Sequence, residues 1–227
     1  VPADVDDFCA FVRYVAERYW VRPNYLRVDG RAYFSIFDST YFMKELGVDG
    51  ARAAIAAARA MLASAGLPPM YLTAIEPNAD VIGQVAAIGF DAVTNYVLLP
   101  EWKGEFLQDY DACVARRAAQ WPQIAAAAGL PYHPAVTPGW DASPRGADFG
   151  SARPDKYPWS PVVVGEHPDR FRAAVARAAA YVRGCGRGAD EQLVLVSSLN
   201  EWSEGHYLEP DTRFGTAWIE AVRDGRA

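Results

Sequence analysis

Residues 70–97 read MYLTAIEPNADVIGQVAAIGFDAVTNYV and contain two short apolar segments with an amphipathic segment between them. The outer segments, MYLTAI at 70–75 and DAVTNYV at 91–97, are rich in β-branched and aromatic residues, which predicts two strands. The segment between them predicts a helix near residues 79–88. Nearly continuous apolar strands separated by helices are typical of a parallel sheet that is covered on its faces. This stretch therefore predicts an α/β fold.

The same alternation continues on both sides of this stretch. Asp49 is predicted to cap a helix over residues 50–64, which Gly66 then ends. The other predicted elements are helix 6–19, strands 25–28 and 33–37 joined by a hairpin turn at Asp29-Gly30, helix 110–128, strand 132–137, a loop rich in Pro and Gly at 138–167, helix 168–182, strand 193–199 and helix 214–222. These make about five βα units, whereas a closed (β/α)8 barrel needs eight. The pattern fits either an open sheet or a barrel with about three units ahead of residue 1.

Composition and charge exclude several classes of protein. The 227 residues suffice for one well-buried domain, and 51% hydrophobic with 22% charged residues indicates a globular chain. A formal net charge of −6 argues against nucleic acid as a partner. The sequence has no run of about 18 apolar residues, so no transmembrane segment is predicted.

The cysteines and histidines give no sign of a metal site. Cys9, Cys113 and Cys185 form no CxxC pair, and the 3 histidines lack metal-ligand spacing. No nucleotide-binding glycine motif occurs either, so the sequence predicts neither a metal nor a cofactor.

The first residues lack the basic start and the apolar centre of a signal peptide, which favours a cytoplasmic location.

The densest group of polar residues is SLNEWSEGHYLEP at 198–210, directly after an apolar segment. In parallel α/β folds, the loops that follow the carboxyl ends of the strands carry the functional groups. Glu201 and Glu204 lie on one predicted turn and are candidates for the two carboxyl groups of glycoside hydrolysis, one an acid and one a base or nucleophile. The alternative is that Glu201 caps or salt-bridges a neighbouring loop while Glu204 is solvated.

Other polar and aromatic residues at strand ends are candidates for substrate binding: Asn95, Tyr96, Trp140, Asp141, Arg145, Asn200, Trp202, His206, Tyr207 and Glu209. Trp140 and Trp202 either stack on a sugar ring or anchor their own loops. Asn95 and Tyr96 either donate hydrogen bonds in a cleft or are satisfied groups at the edge of the core.

The charged candidates also have two interpretations each. Arg145 either holds a hydroxyl or phosphate group of a ligand or pairs with Asp141 or Asp148. His206 lies among carboxylates in the sequence and is a candidate ligand contact, whereas His133 lies on a predicted strand and is interpreted as a core histidine.

Residues 200–211, NEWSEGHYLEPD, resemble the NEWxEGxxLEPD signature of the WbsX-type proteins, which are glycoside hydrolase family 99-like. The stretches YLRVDGRAY at 25–33, TPGWDASPRG at 137–146 and SPVVVG at 160–165 are similar to the same family. The resemblance implies a (β/α)8 TIM-barrel fold in which residues 1–227 form a single, partial catalytic domain that begins within the third βα unit. It also implies an oligosaccharide or polysaccharide substrate.

The resemblance further implies roles for the two glutamates. Glu201 would be the base that takes the proton of the sugar 2-hydroxyl, whose oxygen then attacks the anomeric carbon to give an anhydro-sugar with net retention. Glu204 would be the acid that protonates the leaving oxygen and later the base for water. After the second glutamate this sequence reads HYLEP and departs from the hydrolases. The resemblance therefore bears on the acid–base pair more than on the sugar.

Three functions fit these observations. The first is a glycoside hydrolase that cleaves an α-linked, mannose-containing glycan. The second is a WbsX-type glycosyltransferase of O-antigen or surface-polysaccharide synthesis, for which Arg145 is the candidate ligand of a donor phosphate. The third is a glycan-binding domain without catalysis, which would keep the aromatic residues but would not need the two glutamates.

Overall fold

The structure, a computed structural model, describes residues 4–149 and 154–226. The strands are β1 (Arg27–Val28), β2 (Arg31–Ile36), β3 (Met70–Ile75), β4 (Ala92–Thr94), β5 (Leu107–Asp109), β6 (Tyr132–His133), β7 (Ala135–Val136), β8 (Val162–Val164), β9 (Leu195–Val196), β10 (Asn200–Glu201) and β11 (His206–Tyr207). The α-helices are α1 (Val5–Val15), α2 (Ser39–Ser64), α3 (Val85–Ile88), α4 (Tyr110–Ala128), α5 (Pro168–Gly184) and α6 (Ala217–Gly225).

The chain divides into two compact units. The first comprises the residues up to Asn95 together with Pro122–His133 and Gly188–Glu191. The second comprises Tyr96–Trp121, Pro134–Arg187 and the residues from Gln192 onward. All the strand-end candidates except Asn95 therefore belong to the second unit.

A five-stranded sheet with the order β1-β2-β3-β4-β6 forms the centre of the first unit. Strands β2, β3, β4 and β6 are parallel, as the apolar segments predict, and β1 is antiparallel to β2. Asp29 (φ 50°) and Gly30 (φ 71°) both take left-handed backbone conformations in the turn between β1 and β2. This turn matches the predicted hairpin, because a two-residue turn with positive φ at both positions follows the twist of the strands.

The helix cap predicted at Asp49 is wrong. Helix α2 begins at Ser39, and its N-cap is Asp38, whose carboxylate accepts a hydrogen bond of 2.8 Å from the Tyr41 amide. Asp49 lies inside the helical segment, two residues after a break at Gly47 (φ 71°), and its carboxylate is 2.6 Å from Arg52. An acidic residue near a helix break pairs with a basic residue one turn on as readily as it caps, and spacing alone does not separate the two.

The second unit holds three two-stranded sheets. The pairs β5–β8 and β7–β9 are parallel, and β10 and β11 form an antiparallel hairpin. Helix α5 starts at Pro168 after the N-cap His167, whose ring accepts a hydrogen bond from the Asp169 amide. Pro at the first position suits a helix start because its missing N–H has no partner there.

Several predicted boundaries differ from the structure. The strand predicted over residues 132–137 is split by Pro134, which has no N–H for a sheet, into β6 and β7 of different units. The loop predicted at 138–167 contains a 3-10 helix (Ser143–Phe149) and β8, and its residues 150–153 lie outside the described residues. The helix predicted near 79–88 is reduced to a 3-10 turn and one turn of α-helix.

Within the described residues, no helix is both long enough and apolar enough to cross a membrane.

Candidate active site

A tight hairpin brings Glu201 and Glu204 together at the end of β10. Strand β10 leads into a single 3-10 turn (Trp202–Glu204), and the chain then reverses into β11. The reversal occurs at Gly205, which has φ 68°, a conformation that costs little only for glycine. Glu201 pairs with His206 across the hairpin. The two carboxyl groups and the imidazole therefore come from six consecutive residues of one turn.

The hairpin is held against the loop that follows β7. The Asp141 amide donates a 2.9 Å hydrogen bond to the Glu204 carbonyl oxygen. The Asp141 carboxylate accepts a hydrogen bond of 2.9 Å from the Ser143 amide at the start of the 3-10 helix. Because this helix carries Arg145, the contact fixes the position of the guanidinium relative to the hairpin.

Arg145 bridges the two glutamates. Its Nη2 is 3.3 Å from Glu201 Oε1, and its Nη1 is 3.3 Å from Glu204 Oε1. The guanidinium also donates to the Ser203 hydroxyl and to the Tyr157 hydroxyl. The pairing with Asp141 or Asp148 considered from the sequence is thus replaced by a pairing with both candidate catalytic residues. The guanidinium therefore lies between the two candidate catalytic carboxyl groups.

Glu201 is held in its ionised form. The Ser203 hydroxyl donates a short hydrogen bond to Glu201 Oε1 and is the main cause that lowers the pKa of this carboxyl. Burial acts in the opposite direction, and the Arg145 charge adds to the lowering. A lowered pKa keeps this carboxyl ionised at neutral pH, and only the ionised form can accept a proton.

Glu204 has a more enclosed environment, with 7% of the residue exposed. The Tyr157 hydroxyl donates to Glu204 Oε1 over 3.1 Å, on the side where Arg145 also lies. Glu204 Oε2 is 3.1 Å from His206 Nε2. The two oxygens of this carboxyl therefore face different surroundings: Oε1 faces exposed side chains, and Oε2 faces a buried ring.

His206 is fully buried, with 0% exposure, and offers no surface to a ligand. Its ring is stacked on Trp140, with centroids 5.6 Å apart and planes at 14°, and Tyr96 packs against it edge-on at 5.7 Å. Burial lowers the pKa of His206, although the hydrogen bond to Glu204 acts against this. The imidazole is therefore neutral at neutral pH.

The two tryptophans differ in exposure. Trp140 is 4% exposed and packs between His206 and Trp102, the arrangement of an anchor. Trp202 is 44% exposed and lies flat on Tyr207, with ring centroids 3.6 Å apart, and its indole N–H donates to Glu209 over 2.6 Å. Trp202 therefore presents a fixed aromatic surface to solvent.

Asn200 and Asn95 were also predicted to bind substrate. Asn200 is exposed at the start of β10. Asn95 belongs to the first unit, where its amide donates to Glu76 over 3.1 Å and accepts from the Tyr132 hydroxyl over 3.0 Å.

Sequence reasoning missed Tyr157 and Ser203. Ser203 lies between the two glutamates, and its place within the motif could have suggested it as a partner. Tyr157 reaches Glu204 from a loop with no periodic pattern, and no local signal marks it. Among residues 4–149 and 154–226, no group of three or more His, Cys, Asp or Glu is placed to hold a metal ion.

The sequence matches the family described as Glycosyltransferase WbsX over residues 3–222. The chain is also 29% identical, over 231 aligned positions, to the uncharacterized protein WxcX of Xanthomonas campestris pv. campestris strain ATCC 33913. The WxcX of strain B100 is 28% identical. Each alignment covers 96% of this chain and 30% of the relative, so the chain spans about a third of the length of these proteins.

Among solved structures, the chain is similar to the GH99 endo-alpha-mannosidase from Bacteroides thetaiotaomicron, with a TM-score of 0.58 and 14% sequence identity. The similarity covers 98% of this chain and 61% of that enzyme. The same enzyme in complex with Bis-Tris propane gives a TM-score of 0.57. At this level of identity the likeness shows the fold, and the predicted α/β fold of the TIM-barrel type is confirmed.

Proposed function

Because the chain belongs to the WbsX glycosyltransferase family, we propose that it is part of a glycan-active enzyme in which Glu201 and Glu204 carry acid–base catalysis. The observation that carries the proposal is the placement of the two carboxyls on one turn, joined by Arg145, with the pKa of one of them lowered. Two nearby carboxyl groups in different environments divide the roles of acid and base between them.

Glu201 is proposed as the base. Its carboxylate is more exposed than that of Glu204, with 28% against 9% of the side chain accessible, and its pKa is lowered. It takes the proton from the sugar 2-hydroxyl, and that oxygen then attacks the anomeric carbon to form an anhydro-sugar. The bond to the leaving oxygen breaks in the same step.

Glu204 is proposed as the acid. Its Oε1 faces Tyr157 and Arg145, whose side chains are both partly exposed, so an oxygen of a bound glycan can replace one of these contacts. Glu204 gives its proton to the leaving oxygen. It then takes a proton from the water that opens the anhydro-sugar at the anomeric carbon, while Glu201 returns its proton to the 2-oxygen. This regenerates the 2-hydroxyl and retains the configuration.

The proposed substrate is an α-linked glycan that contains mannose. The similarity in fold to an endo-alpha-mannosidase supports this class. Trp202, held flat on Tyr207 beside the glutamates, provides an exposed aromatic face of the kind that stacks on a sugar ring. Arg145 is already paired with Glu201 and Glu204, which favours an uncharged glycan over a phosphorylated one.

The test is the hydrolysis of α-linked manno-oligosaccharides by the purified protein and by Glu201→Gln and Glu204→Gln variants. Each variant should lose at least about 100-fold in kcat, the lower range for a general acid or base, with unchanged thermal unfolding. Glu45→Gln, at an exposed position of helix α2, is the matched control and should keep full activity. A fully active Glu204→Gln variant would contradict the proposal.

The second candidate is a glycosyltransferase, which the description of the family favours. A transferase needs a site for the phosphate of an activated sugar donor, and Arg145 is the candidate cation for it. However, Arg145 is already engaged by Glu201 and Glu204, which disfavours its use by an anionic ligand. Saturable binding of a nucleotide sugar or a lipid-phosphate sugar that is lost in Arg145→Ala would favour the transferase over the hydrolase.

Variants of Trp202 and Glu201 distinguish a non-catalytic glycan-binding domain from a hydrolase. In that case Trp202→Ala would abolish the binding of manno-oligosaccharides. Glu201→Gln would leave it unchanged, and no hydrolysis would be seen with the unmodified protein.

A further inference from the structure

The ring of His206 is fixed by contacts on several sides. Trp140 lies parallel to one face, Tyr96 packs edge-on, and the Ser198 hydroxyl is 3.3 Å from Nδ1. The opposite nitrogen, Nε2, is 3.1 Å from Glu204 Oε2. Because a fully buried ring with these neighbours has little freedom to rotate, the position of Nε2 determines the position of the Glu204 carboxyl.

The groups that face His206 decide its protonation. They are Glu204 and Glu201 on the hairpin, Arg145 on the 3-10 helix, Ser198 before β10, Tyr96 after β4 and Trp140 after β7. Burial, together with the Arg145 charge, lowers the pKa of the imidazole more than the two glutamates raise it. The ring is therefore neutral at neutral pH and has one N–H to donate.

The neighbours also select which nitrogen carries this proton. Once Glu204 has given its proton to the leaving group, a bare Nε2 would place two lone pairs against each other. With the proton on Nε2, the ring donates to Glu204 Oε2, and Nδ1 can accept from the Ser198 hydroxyl, which also lies 3.3 Å from the His206 carbonyl oxygen. This tautomer satisfies both contacts.

We infer that His206 is a positioning residue that occupies Oε2 of Glu204 and so directs the proton of this acid to Oε1. The inference rests on the proposed function, in which Glu204 is the acid. Oε2 is held by His206 Nε2, a buried and fixed partner, whereas the partners of Oε1, Tyr157 and Arg145, are partly exposed side chains that a bound glycan can displace. Oε1 is the oxygen that faces Arg145 and Tyr157, where a leaving group can bind.

The kinetic test compares two substitutions of His206. His206→Phe keeps a ring for Trp140 to stack on but removes the donor, whereas the side-chain amide of His206→Gln can still donate to Oε2. We expect His206→Phe to lose about 10- to 100-fold in kcat, the range for removing the partner that orients a functional ligand, with little change in KM. His206→Gln should recover most of this loss.

The pH profile separates positioning from a merely structural role. In His206→Phe the ionised form of the acid loses a donated hydrogen bond. The alkaline limb of kcat/KM should therefore move to higher pH, while in His206→Gln it should stay in place. His167→Gln, at the exposed N-cap of α5, is the control and should change neither limb. An unchanged rate and limb in His206→Phe, or equal losses in both variants without movement of the limb, would overturn the inference.

A second measurement does not depend on activity. The chain has 3 histidines, so the long-range ¹H–¹⁵N spectrum of the ring nitrogens is simple, and the signals missing in His206→Gln identify His206. We expect a neutral ring with its proton on Nε2 throughout the neutral range. A proton on Nδ1, or a doubly protonated ring, would overturn the inference. An active Glu204→Gln variant would contradict the proposed function. The tautomer of His206 in the unmodified protein would still test the hydrogen bond from Nε2 to Glu204.

Discussion

Arg145 and Glu201, far apart in the sequence, form an ion pair with 3.3 Å between Nη2 and Oε1. The same guanidinium reaches Glu204 through Nη1, so one side chain sets the electrostatic environment of both candidate catalytic groups. A mobile substrate-binding arginine would be expected to point at solvent. This one is engaged by four side chains of the site, namely Glu201, Glu204, Ser203 and Tyr157.

The Arg145→Ala substitution is expected to move the acidic limb of the pH profile of kcat/KM to higher pH. Arg145 is one of the causes, after the Ser203 hydrogen bond, that lower the pKa of Glu201. Without the guanidinium this pKa rises, and the base is then protonated at a pH where it was previously ionised. The measurement is the rate of hydrolysis between mildly acidic and neutral pH. Arg172→Ala, on the exposed face of α5, should leave the limb in place.

Trp202 and Trp140 are expected to respond differently to truncation. Trp202→Ala should weaken glycan binding about 5- to 10-fold with little effect on stability, because the exposed ring loses its stack on Tyr207 and a solvent-exposed hydrogen bond to Glu209. Trp140→Ala should lower the free energy of unfolding by about 3–5 kcal/mol, as expected for removing a buried tryptophan. Calorimetric titration with a manno-oligosaccharide and urea unfolding check the two results. The reverse pattern would show that Trp202 is the anchor.

Gly205→Ala is expected to disrupt the site far more than Gly186→Ala. Both glycines have nearly the same positive φ, 68° and 66°, so the backbone strain of the substitution is shared. A Cβ at position 205 would lie 2.8 Å from the Asp141 amide nitrogen, whereas one at 186 meets nothing within 4 Å. The difference between the variants therefore isolates the close approach of the hairpin to Asp141. Activity and urea unfolding of both variants check it, and equal losses would contradict this explanation.

Asp211→Ala is expected to reduce stability by about 1–3 kcal/mol at neutral pH, the cost of leaving polar partners unpaired. The carboxylate accepts hydrogen bonds from the Tyr207 hydroxyl over 3.0 Å and from the Trp218 indole over 3.1 Å. Burial raises the pKa of Asp211, but these bonds and those from the Phe214 and Arg213 amides outweigh it, and the pKa is lowered.

The pH dependence of this effect has a definite sign. A lowered pKa in the folded state stabilises the protein at pH values above the pKa of the unfolded chain, and this contribution disappears as the pH falls through the folded value. The difference between the unmodified protein and Asp211→Ala should therefore shrink in acid. Asp190→Ala, at an exposed position, is the control and should show no such difference. A difference that grows in acid would contradict the assignment.

Local sequence determined most of the regular elements. Strand β3 over residues 70–75 and helix α4 over 110–128 have the predicted bounds, because each has a strong pattern of apolar residues that neighbouring residues reinforce. The hairpin at Asp29-Gly30 was predictable for the same reason, since two residues that tolerate positive φ are enough to define the turn. These features depend on contacts between residues close together in the chain.

The tertiary structure decided the arrangement of the site. The sequence placed Glu201 and Glu204 on one turn, but it left open whether Arg145 meets Asp141, Asp148 or a ligand, and in the structure it meets both glutamates. Nor could the sequence separate a buried Trp140 from an exposed Trp202. Burial and pairing depend on which distant segments pack together, and the free energy of those contacts comes from desolvation and charge, which no local pattern of residues encodes.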